Sequence, residues 1–266
     1  MNFRHSRRFA SEQAKNICGD LYPGPILMPR GLLRSLDPII AIALNSVSDS
    51  NDAFNNSFEK MLRGRPESPL LLALWASIAA GEIPHKDMRK ILSLFPSEME
   101  SQPKNRGELL GYLHPRVSII AQCMLSLAQK RNAEALPSAE RLGLGLTLCK
   151  LLIDMRYHLI RKKIYFPESD LKNANLTERS LLKMVRSPEV DQFLAQQCDW
   201  VESLIDEGLP VCDKVGARLR RGLLAAAFRA KMLLKYVRNP KNDIFRTSPR
   251  LTNIQRWQCA LKAWRP

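Results

Sequence analysis

The chain has 266 residues, of which 45% are hydrophobic and 25% are charged, and these values are typical of a folded globular protein. This length allows one large domain or two small ones with a substantial core. No apolar run reaches the ~18 residues that a membrane-spanning helix requires. None of the six cysteines belongs to a CxxC pair, which excludes that type of metal or redox site and predicts free thiols in a reducing compartment.

The net charge of +15 is concentrated near the C-terminus. Residues 1–213 carry 27 Lys and Arg against 25 Asp and Glu, whereas residues 214–266 carry 14 against one, Asp243. Such a field attracts an acidic partner, and we expect an anionic membrane surface or an acidic protein. Nucleic acid is not favoured, because no helix-turn-helix, zinc or aromatic-platform motif accompanies the charge.

The first half of the chain reads as a basic N-terminal segment, residues 1–24, and the start of a helical domain that spans residues 25–266. Helical spacing of apolar residues predicts helices at 29–47, 69–80, 84–94 and 107–129, the last with a kink or a short break at His114-Pro115. Asp49 and Asp52 lie three residues apart after the first helix. They could share a helix face as a carboxylate pair, or one of them could cap the following helix.

The second half of the chain continues the helical pattern and contains no strand-like alternation, so the predicted fold is all-α. A long helix is predicted at 188–208, a strongly basic helix at 214–238 and a short helix at the C-terminus. The short helix contains Trp257 and Trp264 beside Arg256 and Arg265. These tryptophans suit either a membrane interface or the protein core.

Residues 144–167, LGLTLCKLLIDMRYHLIRKKIYFP, are the most informative segment. The apolar spacing predicts one buried helix that ends before Pro167. Asp154 and His158 are set into it four residues apart, and therefore one turn apart on the same face. A buried carboxylate is costly without a partner, and the candidates for Asp154 are Lys150, Arg156 and Arg161.

This segment resembles the second aspartate-rich helix of the squalene/phytoene synthases, whose members read roughly LQLTNxLRDxxxDxxRGRxYLP. The matching positions are Leu146, Leu148, Leu152, Asp154, Arg161, Ile164, Tyr165 and Pro167. Three departures concern the site: His158 replaces the second aspartate, Lys150 replaces the asparagine and Lys162 replaces the glycine.

The resemblance implies a single-domain helical bundle of the isoprenoid synthase type, with a cavity that could hold a prenyl lipid. The family joins two prenyl diphosphates head to head, using magnesium ions that carboxylates hold. The corresponding positions in this chain are Asp49 and Asp52 for the first motif, and Asp154 and His158 for the second. The candidate diphosphate ligands are Arg161, Lys163 and Tyr165.

The departures predict a disabled site. Histidine suits zinc or copper better than magnesium, and Lys150 adds a positive charge where the family has an amide. We therefore expect the motif residues to be vestigial, with no bound metal or cofactor.

A branch of the family that lacks both aspartate motifs occurs in mitochondria and alphaproteobacteria, and its mitochondrial members act in the assembly of respiratory complex I. That branch typically reads LLRxxxxHxxRxxxYLP in this helix and ends in a WRxxWR-like tail. This chain resembles the branch more closely than it resembles the enzymes. The residues that carry this likeness are Leu151-Leu152, His158, Arg161, Tyr165-Phe166-Pro167 and the tail from Trp257 to Trp264-Arg265.

Three interpretations follow from the sequence. The first is a non-catalytic family member that acts as a complex I assembly-type factor or a lipid-associated adaptor, in the cytoplasm or the mitochondrial matrix and peripherally bound to the membrane. The second is an active prenyltransferase with an atypical magnesium site. The third is an unrelated basic helical protein.

Overall fold

Local capping signals determine where several helices begin. Ser68 and Ser187 each precede a proline, and each hydroxyl accepts a hydrogen bond from a backbone N–H three residues later, at 3.2 Å from Leu71 and 3.3 Å from Val190. A capping hydroxyl satisfies an N–H that the helix leaves unpaired, and proline tolerates the first helical position because it has no N–H to lose. These short signals explain why the two helices start where the sequence predicts.

The computed structural model describes residues 2–44, 51–83, 99, 101–128 and 133–264, and all regular structure in these ranges is helical. The helices are α1 (Phe3–Cys18), α2 (Arg30–Leu44), α3 (Asn51–Leu62), α4 (Pro69–Ala79), α5 (Arg106–Leu127), α6 (Leu136–Ile153), α7 (Met155–Ile160), α8 (Glu168–Asn173), α9 (Glu178–Leu182), α10 (Pro188–Gly208), α11 (Ala217–Arg238) and α12 (Asn253–Trp264). Short 3₁₀ turns lie at Gly19–Leu21, Ala133–Ala135 and Leu209–Asp213. The all-α prediction is confirmed.

Helix α6 lies at the centre of the bundle and packs against α5, α10 and α11. Its side chains Leu142, Leu148 and Leu152 are at most 2% exposed. Small residues let α6 and α10 approach closely, because a Cβ on Gly208 would lie only 2.2 Å from the backbone nitrogen of Leu142. The helix that carries the 144–153 half of the informative segment is therefore held on several sides.

The N-terminal residues pack against the bundle. The sequence analysis separated residues 1–24 from the helical domain, but residues 3–18 form α1, which contacts α2 and α4. Its buried face consists of the small residues Ser6, Ala10 and Ala14. The large apolar residues by which a buried helix is usually recognised are absent from this face, which explains why the sequence did not reveal it.

Two further predictions concern the middle of the chain. Helix α5 continues through Pro115, so the predicted short break at this position is absent. Leu113 and Val117 are 6% and 3% exposed on either side of it, and their burial offsets the roughly 3 kcal/mol that an internal proline costs. The helix predicted at 84–94 lies outside the described residues.

Two other findings concern helix length and the cysteines. No helix within the described ranges is both long and apolar enough to cross a bilayer. The six cysteines form no disulfide bond with one another. Burial raises the pKa of Cys18 to about 12 and that of Cys212 to about 11, so these thiols stay protonated and unreactive.

Candidate functional site

Asp154 lies at a one-residue break between α6 and α7. Its backbone angles are φ −90° and ψ 9°, outside the helical range on either side of it. Helical hydrogen bonds continue across the break, because its N–H donates to the Lys150 carbonyl at 2.9 Å and its carbonyl accepts from the His158 N–H at 3.1 Å. Because the backbone of Asp154 leaves the helical range, the prediction of one uninterrupted helix is wrong at this residue. Aspartate is a weak helix former and commonly ends helices.

The Asp154 carboxylate forms an ion pair with the Lys150 ammonium group, one turn earlier. The two side chains are only 32% and 24% exposed, so water screens the pair incompletely. The turn after α1 lies against the pair, because a Cβ on Gly19 would be 3.7 Å from Lys150 Cε. Of the partners that the sequence suggested for Asp154, the structure selects Lys150.

His158 lies among aromatic rings. The centroid of its ring is 5.6 Å from that of Tyr157 and 4.7 Å from that of Tyr165, with edge-on geometry at both. Burial lowers the pKa of His158, with nearby Asp154 opposing this and Lys150 and Lys163 adding to it. The imidazole is therefore neutral at neutral pH, and it lies one turn from a carboxylate that a lysine already neutralises.

The metal motifs are only partly described. Asp49 lies outside the described residues, and Asp52 is described only as the second residue of the α3 backbone. Within the described residues, no three His, Cys, Asp or Glu side chains are grouped so that they could hold a metal ion. Magnesium prefers several oxygen ligands. The paired Asp154 and the nitrogen of His158 do not fit that preference.

The three candidate diphosphate ligands have different described contacts. The Arg161 guanidinium stacks on the Tyr157 ring, 3.5 Å from its centroid, and both residues are exposed. Lys163 and Tyr165 are half-buried and both interact with His158. The described geometry therefore links Lys163 and Tyr165 to His158, whereas Arg161 packs on an exposed ring.

Sequence reasoning missed Arg116, which lies on α5 near Tyr165. Its guanidinium is 3.9 Å from the centroid of the Tyr112 ring and donates to the Tyr112 carbonyl at 2.8 Å. Burial lowers the pKa of Arg116, and its electrostatic interactions with Tyr112 and Tyr165 oppose that effect. The only sequence signal was its position directly after the His114-Pro115 step, where a kink or a short break was predicted.

A second group that sequence reasoning missed lies close to Lys150. The Tyr22 hydroxyl lies 3.0 and 2.9 Å from the two carboxylate oxygens of Asp37, to which it donates, and Asp37 is 2% exposed. The charge of Lys150 lowers the pKa of Cys18 and that of Asp37 raises it, so Cys18 lies within electrostatic range of both groups. The group thus brings residues from α1, the following turn and α2 to the edge of the Lys150–Asp154 pair.

The end of α7 explains one departure from the family pattern. Lys162 has a positive φ of 56°, and its N–H donates to the Leu159 carbonyl at 2.9 Å, while the Lys163 N–H donates to the His158 carbonyl at 3.0 Å. This is the Schellman arrangement, in which glycine is the preferred residue at the left-handed position. Lys162 occupies the position where the resembled pattern has glycine.

We expect Lys162→Gly to raise the free energy of unfolding by about 0.5–1 kcal/mol, because glycine relieves the left-handed strain that a side chain incurs. Guanidinium-induced unfolding measures the change. The matched control is Lys172→Gly inside α8, which we expect to lower stability by up to about 1 kcal/mol. A Lys162→Gly protein that is less stable than the parent would contradict this account of the turn.

Comparison with solved structures identifies the fold class. The bundle is similar to the squalene synthase HpnC from Alicyclobacillus acidocaldarius, with a TM-score of 0.73 and 17% identity over 90% of this chain and 96% of that one. It is also similar to a dehydrosqualene synthase solved in complex with a ligand, with a TM-score of 0.83 and 16% identity over 98% of this chain and 96% of that one. Both similarities place the bundle in the isoprenoid synthase fold class.

Sequence comparison identifies the family. The squalene/phytoene synthase family model matches residues 36–258, and the chain belongs to this family. No curated protein sequence matches it significantly. The family resemblance that the 144–167 segment predicted is thus confirmed over most of the chain.

Proposed function

We propose that this chain is a non-catalytic member of the squalene/phytoene synthase family. The observation that carries the proposal is the ion pair between Lys150 and Asp154. A diphosphate leaving group needs divalent cations to neutralise its charge, and oxygen ligands must hold those cations. Here the remaining carboxylate of the second motif is neutralised by a lysine on the same helix face.

The surroundings of the pair support the proposal. A magnesium ion that approached Asp154 would meet the like charge of Lys150, in a setting that water screens only partly. The neutral imidazole of His158 contributes a nitrogen atom, which magnesium disfavours. The protein would therefore bind partners rather than condense prenyl diphosphates.

We propose that it acts as an assembly factor for respiratory complex I or as a lipid-associated adaptor. Its location would be the cytoplasm or the mitochondrial matrix. The support is the likeness of His158, Arg161 and the tryptophan-containing C-terminus to the non-catalytic branch. The test is complementation of a cell that lacks the gene, with assembled complex I as the readout. Restoration by the Asp154→Ala chain as well as by the parent chain is the expected result. Failure of both chains to restore complex I would overturn the assembly role.

An active head-to-head prenyltransferase is the second candidate function. It is favoured by the names of the two solved relatives, a squalene synthase and a dehydrosqualene synthase, which the bundle matches over nearly its whole length. That function would require magnesium. It would also require Lys150 to leave Asp154 when the substrate binds.

Incubation of the purified chain with magnesium and farnesyl or geranylgeranyl diphosphate separates the two candidates. We expect no squalene, presqualene diphosphate or phytoene, because Asp154 is paired with a lysine and His158 replaces a carboxylate. Mass spectrometry of the extracted products is the measurement. Product formation by the parent chain that is lost in Asp154→Ala would establish the enzyme instead.

A gain-of-binding experiment tests the same reasoning without relying on a negative result. The double substitution Lys150→Asn and His158→Asp releases Asp154 and adds a carboxylate one turn away. We expect it to increase magnesium affinity by about tenfold or more in calorimetry, since each added carboxylate ligand raises cation affinity. Lys150→Arg is the matched control, because it keeps the positive charge and is expected to leave the affinity unchanged.

A further inference from the structure

Helix α12 presents its large hydrophobic side chains to solvent and its small ones to the protein. The exposed residues are Ile254 at 71%, Trp257 at 61%, Leu261 at 63% and Trp264 at 54%. The buried residues are Cys259, Ala260 and Ala263. A helix that packs on a globular protein normally shows the opposite arrangement, with its large apolar side chains facing the core. This inversion indicates that the outer face of α12 has another use.

The four exposed residues form one continuous stripe, which we call the α12 stripe: Ile254, Trp257, Leu261 and Trp264. They follow one another at intervals of three, four and three residues, which is the spacing of a single helix face. Over 12 residues the helix is roughly 18 Å long, and the stripe follows most of this length. Exposed apolar residues that cluster in this way mark interaction surfaces, whereas scattered ones need no explanation.

The helix that carries the stripe is firmly attached. Arg256 donates to Asp20 Oδ1 through Nε at 2.9 Å and through Nη2 at 2.6 Å. Ala260 and Ala263 pack with Leu27 and Ala225 in a small apolar cluster. These contacts determine the rotation of α12, so the stripe does not face outward merely because the C-terminus is loose.

Two basic residues stack on aromatic rings at or beside the stripe. The Arg221 guanidinium stacks on Trp264, 4.0 Å from the ring centroid, and Lys262 lies 4.5 Å from the centroid of the Phe228 ring on α11. Arg218, at the start of α11, and Arg250, just before α12, are exposed as well. Within the described residues none of these four cations forms an ion pair with a carboxylate, and no acidic residue follows Asp243 in the sequence.

Two of the basic residues of α11 are not available to bind an anionic partner. Arg229 is only 9% exposed and donates to the Tyr22 carbonyl at 2.8 Å, so it holds the turn after α1. Lys231 pairs with Asp206 on α10. Arg221 and Lys262 remain beside aromatic rings where α11 packs against α12.

We propose that the α12 stripe is the surface by which the protein docks on an anionic phospholipid bilayer. Tryptophan is favoured at the headgroup level, where its ring is partly apolar and its N–H remains hydrated. Isoleucine and leucine enter the acyl boundary, and the flanking arginine and lysine side chains reach the lipid phosphates. An apolar helix face that carries two tryptophans and lies beside basic side chains is the combination typical of helices that bind anionic lipid surfaces. The proposal holds whether or not the protein is catalytic.

Sedimentation with vesicles tests the proposal on the full chain. We expect binding to phosphatidylcholine vesicles that contain about 30% phosphatidylglycerol, much weaker binding to pure phosphatidylcholine, and a steep loss between 0.1 and 0.5 M salt. A blue shift of tryptophan emission should accompany binding, because Trp257 and Trp264 leave water. The double substitution Ile254→Ser and Leu261→Ser should weaken binding by about 30-fold or more. Arg221→Gln with Lys262→Gln should weaken it by about tenfold.

Two matched controls separate docking from general effects. Val185→Ser with Ile160→Ser removes two exposed apolar side chains elsewhere, at 64% and 55% exposure. Arg179→Gln with Lys183→Gln removes two exposed charges on or beside α9. Both controls should bind vesicles like the parent chain, and far-ultraviolet circular dichroism should be the same for all variants. Equal binding by the stripe variant and its control would overturn the proposal. Absence of binding to anionic vesicles would overturn it as well, as would self-association that disappears in the stripe variant.

Discussion

We expect Asp170→Ala to lower the free energy of unfolding by about 3–4 kcal/mol, the largest effect of any single substitution proposed for this chain. Asp170 is 5% exposed and accepts hydrogen bonds from Arg106 Nε and from Gln197 Nε2, both at 2.8 Å. Its removal leaves the amide of Gln197, which is 1% exposed, without this acceptor in the core. The three residues join α5, α8 and α10, so the loss affects the packing around α6.

Thermal and guanidinium unfolding measure the effect, and a loss of this size corresponds to a decrease in Tm of roughly 10 °C. The matched control is Glu168→Ala in the same short helix, whose carboxylate is 44% exposed and lies 3.6 Å from Lys172 Nζ. Exposed pairs of this kind contribute about 0–1 kcal/mol. A loss below about 1 kcal/mol for Asp170→Ala would show that the buried cluster does not stabilise the bundle.

We expect Asp37 to make the protein less stable as the pH rises from 4 to 7. Burial raises the pKa of Asp37 from its ordinary value of 3.8 to about 6, although hydrogen bonds from Ser11 and Tyr22 oppose the rise. Between these values the folded state holds a proton that the unfolded state has released, so stability falls with increasing pH. The full contribution is present below pH 3.8 and is lost above pH 6, and it amounts to about 3 kcal/mol.

Comparison of Asp37→Asn with the parent chain isolates this contribution. The variant should lose less stability than the parent between pH 4 and pH 7 in guanidinium titrations at each pH. Tyr22→Phe is the companion variant, since removing a hydrogen bond to the ionised carboxylate should shift the parent's transition to higher pH. Identical pH profiles for Asp37→Asn and the parent chain would rule out the assignment.

Features that depend on neighbours in sequence could be predicted. Ser187-Pro188 marks the start of α10 because the capping hydroxyl and the proline act within one turn. The pairing of Lys150 with Asp154 was among the predicted alternatives because residues four apart meet on any helix. The break at Asp154 was missed, since one residue with a ψ near zero hardly changes the apolar spacing around it.

Features that depend on distant segments could not be predicted. Tyr22 and Asp37 are brought together by the packing of α1 and α2, and Arg116 approaches Tyr165 only when α5 packs beside α6. The short break that was one predicted alternative at Pro115 is absent for a related reason. A local rule gives the cost of proline, whereas the burial of Leu113 and Val117 that offsets this cost belongs to the folded state.

The sequence by itself determined the helical fold, the family and the loss of the second aspartate, because each of these is written in residue identity and short-range spacing. Only the tertiary structure decided which face of α12 is buried. The sequence left Trp257 and Trp264 open to either a membrane interface or the core, and their exposure of 61% and 54% excludes the core. The physical reason is that helical periodicity shows which residues share a face of a helix, but not whether that face points toward the core or toward solvent. In α12 this orientation is set by the packing of Ala260 and Ala263 against Ala225 and by the ion pair between Arg256 and Asp20.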